Sequence, residues 1–321
     1  MTKTIVSHPE RCLGCMTCVV ECSMSHTTAQ TLAEALRAKK PPESRIFVES
    51  IGDVAVPIQC FHCEDAPCVT VCPTEAIRRD VEGGPVVLET KLCSGCRQCL
   101  LVCPYGVIDT SRHETAVIKC DQCVERLDAG LEPACVASCP TGAVGFEEVA
   151  CGEPATTLRI VDATTVEKTL TTRTLTHDEF VALVEVQTLP AFLKNAVTTF
   201  VIDAERCKGC GRCLKTCPVD GITGEKKAPH VLDEEMCIRC GQCEENCPFH
   251  SVDRIIDAEM ELVLCGACGI PFTTAAEFEL ARSKVPDATT ADAICPLCRR
   301  AQTVQQLAET SMNMGCASAA E

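Results

Sequence analysis

Short runs of β-branched and apolar residues recur along the chain, each stopped by cysteine, glycine or proline. FVID before Cys207 and PVVLE before Cys93 have the make-up of strands feeding a loop. Five further stretches share a pattern: CPTEAI at 72, CPYGVI at 103, CPTGAV at 139, CPVDGI at 217 and CPFHSV at 247. Each has Cys-Pro, two variable residues, a small residue and a β-branched one, so the segment is an internal repeat whose end opens a return strand. Between about 152 and 195 apolar and polar residues alternate, and HDEFVALVEV then takes helical spacing with a start signal at Thr176 or Asp178. That pattern predicts a connector of strand plus helix. Beyond 254 the spacing predicts an amphipathic helix around Ala275 to Arg282 and a polar helical tail near Ala301 to Met312. No run reaches the roughly 18 apolar residues of a membrane span.

Composition changes this picture of an ordinary small-element fold. Of 321 residues 30 are cysteine, there is no Trp and one Tyr. Without the cysteines the apolar share falls below the usual, so the hydrophobic core is thin and cysteine chemistry must organise the fold. The N-terminal MTKTIVSHPERCLGC lacks the charged start, apolar stretch and cleavage site of a secretory signal. A reducing cytoplasm is the expected compartment, where dense cysteines mean metal rather than disulfides. Bound metal would replace the missing core volume, so folding is expected to be coupled to its insertion. The formal charge is −16, which makes nucleic acid a poor partner.

The cysteines fall into six groups of four: 12, 15, 18, 22; 60, 63, 68, 72; 93, 96, 99, 103; 120, 123, 135, 139; 207, 210, 213, 217; and 237, 240, 243, 247. A cubane has four irons, each needing one thiolate; cysteines at three-residue spacing wrap three corners and the fourth ligand comes from elsewhere. Tetrahedral zinc instead takes two two-cysteine knuckles. Six [4Fe-4S] clusters are therefore expected. In two-cluster ferredoxins the last cysteine of one motif serves the other cluster. That rule gives Cys207, Cys210, Cys213 with Cys247 (site five) and Cys237, Cys240, Cys243 with Cys217 (site six). A last set, Cys265, Cys268, Cys295 and Cys298, has the double-knuckle spacing of a zinc ribbon or a rubredoxin. With Phe272 the only aromatic near its first knuckle, zinc is favoured and iron is the alternative. Cys151 and Cys316 are left without a role.

Residues 1 to 150 resemble the four-cluster subunits of the dimethylsulfoxide reductase B family and its relatives in formate dehydrogenases, formate hydrogenlyase and carbon monoxide dehydrogenase with hydrogenase. The resemblance rests on CLGCMTCVVEC, QCFHCEDAPCVTVCPTEAI, CSGCRQCLLVCPYGVI and KCDQCVERLDAGLEPACVASCPTGAV. It implies that the first group pairs with the fourth and the second with the third. Site one is then Cys12, Cys15, Cys18 and Cys139; site two Cys120, Cys123, Cys135 and Cys22; site three Cys60, Cys63, Cys68 and Cys103; site four Cys93, Cys96, Cys99 and Cys72. Two departures stand out: Ser23 replaces the proline after Cys22, and the C-terminal membrane helix of anchored relatives is missing.

The expected architecture is α+β, with tandem bacterial-ferredoxin-like modules of short strands and helices. Residues 1–150 would form a four-cluster domain, 151–195 a connector, 196–253 a two-cluster ferredoxin domain resembling an eight-iron ferredoxin, and 254–321 a small zinc-ribbon or rubredoxin-like domain with a helical tail. No nucleotide, flavin or hydrolase motif occurs. A catalytic iron-sulfur enzyme would need a cluster with an open iron, and six full quartets offer none. The chain is expected to be non-catalytic, a cytoplasmic electron-transfer subunit in a hetero-oligomer. The resemblance implies a catalytic partner with a molybdenum or tungsten pterin, nickel-iron or similar centre, and a second redox partner. His62 and His250, beside ligands, are candidates for tuning cluster potentials.

Overall fold

The computed structural model describes residues 2–111, 116–149, 172–174, 198–234, 236–237, 239–256, 261–285 and 293–317. The HDEFVALVEV helix and Cys151 lie outside them. The fold is mixed: short helices and small antiparallel sheets, six of two strands and one of three among the described residues.

Four of the sheets share one offset relative to the cysteines. Thr2–Ser7 pairs with Val144–Val149, and Ser7 lies opposite Val144. Cys12 follows Ser7 by five positions and Cys139 precedes Val144 by five. Thr198–Ile202 pairs with Val252–Ile256 in the same way, with Ile202 opposite Val252, five before and five after Cys207 and Cys247. Ile77 lies opposite Leu88, five after Cys72 and five before Cys93. Ile222 lies opposite Leu232, five after Cys217 and five before Cys237. Each pairing closes two loops of equal length, so the strand register sets a lone cysteine beside a three-cysteine loop.

Two apolar clusters form among the described residues. Phe200, Cys213, Ile222, Cys243 and Val252 make the smaller one, inside the 198–256 segment. The larger runs from Ile5, Ile46, Val56 and Ile58 through Leu100 and Ile108 to Leu262, Phe272, Phe278 and Leu307. Among the described residues the C-terminal segment thus shares its core with the N-terminal half, not with the 198–256 segment that precedes it.

The predicted amphipathic helix is Ala275–Lys284, opened by a capping box in which Thr274 and Glu277 satisfy each other's backbone. The predicted tail helix is longer, Pro296–Ala317. Its first turn holds it to the N-terminal half. Arg299 donates to the carbonyls of Leu101 and Cys103. Arg300 donates to Gly106 O at 2.9 Å and Asp109 at 3.0 Å, and its guanidinium lies 3.7 Å from the centre of the Phe47 ring. Gly106 is needed there: its φ is +63°, and a Cβ would come within 2.1 Å of Pro296 O.

Candidate metal centres

The cysteine loops share a backbone signature. The residue before the second cysteine is left-handed in all six: Gly14, His62, Gly95, Gln122, Gly209 and Arg239, with φ between 51 and 73°. Three of these are not glycine, although that conformation costs an L-residue about 1–2 kcal/mol. Such a turn points successive amides into one concavity, an anion-binding nest. Accordingly His62 N donates to Cys60 Sγ and Gln122 N to Cys120 Sγ, each at 3.4 Å. The last cysteine of a group is served by the amide four residues on: Ala143 to Cys139 at 3.2 Å, Gly221 to Cys217 and Ser251 to Cys247 at 3.3 Å.

Cys22 departs from this, and so does its sequence. It lies inside the helix Thr17–Ser25, where Ser23 is compatible and the usual proline would break the turn. Its amide donor comes from afar, Arg45 N at 3.2 Å. Arg45 also pairs with Asp121, which contacts His26 Nε2 at 3.2 Å, while His26 Nδ1 lies 2.7 Å from Cys22 O. This network holds Asp121 far below the usual carboxylate range: His26 and Arg45 outweigh its burial. Nothing in the spacing of the sequence singled out Arg45, His26 or Asp121.

The thiols gather as follows. Around Cys18, pushed up to about 11 by burial, the neighbouring thiolates are Cys12, Cys139 and Cys15. Burial, then Cys22, Cys123 and Cys18, raises Cys135. Cys63 is raised by burial and then by Cys60, Cys103 and Cys68, and these four thiols line one cavity with Phe61, His62 and Tyr105. Cys72 and Cys93 are the set-mates acting on Cys96, pushed up to about 11 mainly by burial. Cys217, Cys237, Cys240 and Cys243 line a second cavity. Around Cys213 the neighbours are Cys207 and Cys210, and Cys247 packs against the same small core.

Whether a cubane fits can be read from the buried polar atoms. His62 lines the first cavity. Its Nδ1 accepts from Val86 N at 3.0 Å, so the ring hydrogen sits on Nε2, which is buried with no protein partner. Burial, aided by the Lys119 charge, keeps this imidazole neutral, with its pKa well below the ordinary value. A buried lone donor beside four thiols fits a sulfide-bearing cluster, whose sulfurs accept such bonds. His230, not singled out by sequence reasoning, repeats the arrangement: Nδ1 lies 3.1 Å from Cys213 Sγ and Nε2 is buried and unpartnered. His250, the other sequence candidate, is exposed and serves through its carbonyl, which accepts from Arg206 at 2.6 Å.

Lys119 was missed as well. It is 1% exposed, and its ammonium donates to Val86 O and, at 2.9 Å, to Cys120 O. Burial works against its charge, but Cys60, Cys68 and Cys120 more than offset this and raise its pKa. One buried cation thus stands between two thiol sets.

The thiols of Cys265, Cys268, Cys295 and Cys298 lie within 4.8 Å of one another. Burial pushes Cys265 up, but amides of Cys295, Cys268 and Ala267 outweigh it and bring the thiol down to about 7. Four thiols at that spacing suit one tetrahedral ion.

Known proteins of similar sequence agree with this chemistry. Families described as 4Fe-4S dicluster domain match residues 11–77, 53–149 and 199–248. An iron-sulfur protein of Rhodospirillum rubrum is 40% identical over 153 residues, 44% of this chain and 79% of that protein. The electron transport protein HydN of Escherichia coli is 36% identical over 159 residues, 45% of this chain and 87% of that protein. The B subunit of the anaerobic dimethyl sulfoxide reductase of Escherichia coli is 33% identical over 141 residues, covering 42% of this chain and 68% of that subunit.

Proposed function

Because this protein belongs to the family of 4Fe-4S dicluster electron-transfer proteins, we propose that it is the electron-transfer subunit of a cytoplasmic multi-subunit oxidoreductase, carrying six cubanes and one structural zinc. Its role is electron transfer and not catalysis, as for the relatives named as electron-transport proteins and reductase subunits. The partners follow from that role: a catalytic subunit with a molybdenum or tungsten pterin, nickel-iron or similar centre, and a second redox protein. Among the described residues no helix is long and apolar enough to cross a membrane.

The observation that carries the reading is the repeated loop: six left-handed turns before a second cysteine, each with a lone cysteine available from another group. Sites one to six, with the ligands given above, take one cubane each. When bound, each cubane supplies a one-electron carrier. The protein's own residues hold it, offer amide and imidazole hydrogens to its sulfurs and exclude water, which set its potential. The four thiols of Cys265, Cys268, Cys295 and Cys298 take zinc; the metal fixes Arg299 and Arg300 at the start of the final helix.

Iron, acid-labile sulfide and zinc per chain, measured on protein purified without oxygen, test this. About 24 iron, 24 sulfide and one zinc are expected. About 25 iron without zinc would make the last site a redox centre, and several zinc with little sulfide would refute the proposal.

A further inference from the structure

Site one meets site two where the helix Thr17–Ser25 packs on Ala134–Ala137, which sets Cys18 beside Cys135. Site two meets site three at Lys119, which donates to Cys120 O and to the carbonyl of Val86, a residue lining the cavity of site three. Site three meets site four where Pro67–Thr70 packs on Gln98–Val102, with Cys68 near Cys99. The next contact crosses between the two halves: the loop of site six, through Arg239, bonds the cap of the helix Ala275–Lys284, and that helix packs on Gln98–Val102 in the loop region of site four. Sites six and five then share the small core through Cys213, Cys243, Cys217 and Cys247.

The crossing is held by polar contacts to the C-terminal segment. Arg239, next to Cys240, donates to Thr274 Oγ1 at 3.1 Å, and its charge reaches Glu277, 8% exposed. Thr274 and Glu277 cap the helix Ala275–Lys284, which packs on Gln98–Val102, the helix that carries Cys99. That helix is therefore the bracket that brings the loop of site six to the loop of site four. The ends of the row differ from its interior: of the thiols in the six sets, Cys15 at site one and Cys210 at site five are exposed, and the rest are not.

We propose that the two halves form one unbroken electron path in the order five, six, four, three, two, one, joined where the helix Ala275–Lys284 brings the loop of site six to the loop of site four, latched by Arg239, and open to partners at Cys15 and Cys210. This rests on the cluster reading above. Each step moves one electron, oxidising the giving site and reducing the taking site by one; no bond or proton changes hands. The donor and acceptor are one-electron redox proteins at the two ends.

The test uses the full-length, cluster-loaded protein reduced with dithionite, its paramagnetic resonance spectrum, and iron and sulfide counts. Low iron in the wild type refutes the cluster reading itself, separately from the path. With iron intact, Arg239→Glu, which sets a carboxylate against Glu277, should lose the spin coupling between sites four and six, and Arg239→Lys should keep it. Wild-type coupling in Arg239→Glu at full iron content would overturn the proposal. Should that variant lose iron, pulsed dipolar measurements on the wild type decide: one coupled network of six supports the path, and separate networks of four and two overturn it.

Discussion

At the scale of single residues, buried polar groups set what the thiols can do. Lys119 is the sharpest case, a cation enclosed between Cys60, Cys68 and Cys120. A fixed positive charge favours the reduced, more negative state of a neighbouring centre, so Lys119→Met should lower the potentials of sites two and three. A drop on the order of 60 mV, a tenfold change for a one-electron couple, is expected in a redox titration followed by paramagnetic resonance. Sites five and six should be unmoved, and a uniform shift would show a general loss of structure instead. His62→Phe keeps the ring volume but removes the donor. It should lower the potential of site three alone, at unchanged iron content. The cysteines were legible because their ligand chemistry is written in spacing of three. Lys119, His230, Arg45 and Asp121 were not, because each reaches its cysteine from a distant part of the chain or through burial, which a local pattern does not record.

At the scale of elements, strand register and the last helix carry the argument. The predicted strands before Cys93 and Cys207 and the helix around Ala275 to Arg282 are present as Val86–Leu88, Thr198–Ile202 and Ala275–Lys284. Composition and capping signals fix such elements locally. What they pack against is not local. Gly106→Ala would require a left-handed alanine with its Cβ against the Pro296 carbonyl. It should detach the final helix and lower the unfolding free energy by more than the roughly 1–2 kcal/mol of the backbone alone. Faster proteolysis within 293–317, at unchanged sulfide content, is the expected readout. Arg300→Ala should act in the same direction by about 1–3 kcal/mol, through the unpaired carbonyl of Gly106 and the lost Asp109 contact. An undiminished midpoint in chemical denaturation would refute the role assigned to either residue.

At the scale of the whole molecule, the zinc proposed at Cys265, Cys268, Cys295 and Cys298 would be a joint between parts. Two of these cysteines, Cys295 and Cys298, flank the start of the helix whose Arg299 and Arg300 grip the N-terminal half. Cys298→Ala should therefore release that helix, and with it the bracket Ala275–Lys284 at the crossing between halves. The expected result is loss of the single zinc, retention of iron, and loss of spin coupling between sites four and six. Retained coupling would show that the crossing stands without the metal.

The sequence by itself determined the chemistry: groups of cysteines at spacing of three, the Cys-Pro repeats, the short strands on either side and the double knuckle near the C-terminus. These are local, since a ligand loop and a strand of a few residues are specified by the residues within them. The larger arrangement was decided by tertiary structure. Strand register set lone cysteines beside loops far along the chain, and an arginine pair docked the C-terminal segment on the N-terminal half instead of its neighbour in sequence. Such contacts join surfaces whose fit depends on burial and on groups hundreds of residues apart, and no period or motif along the sequence encodes which surface meets which.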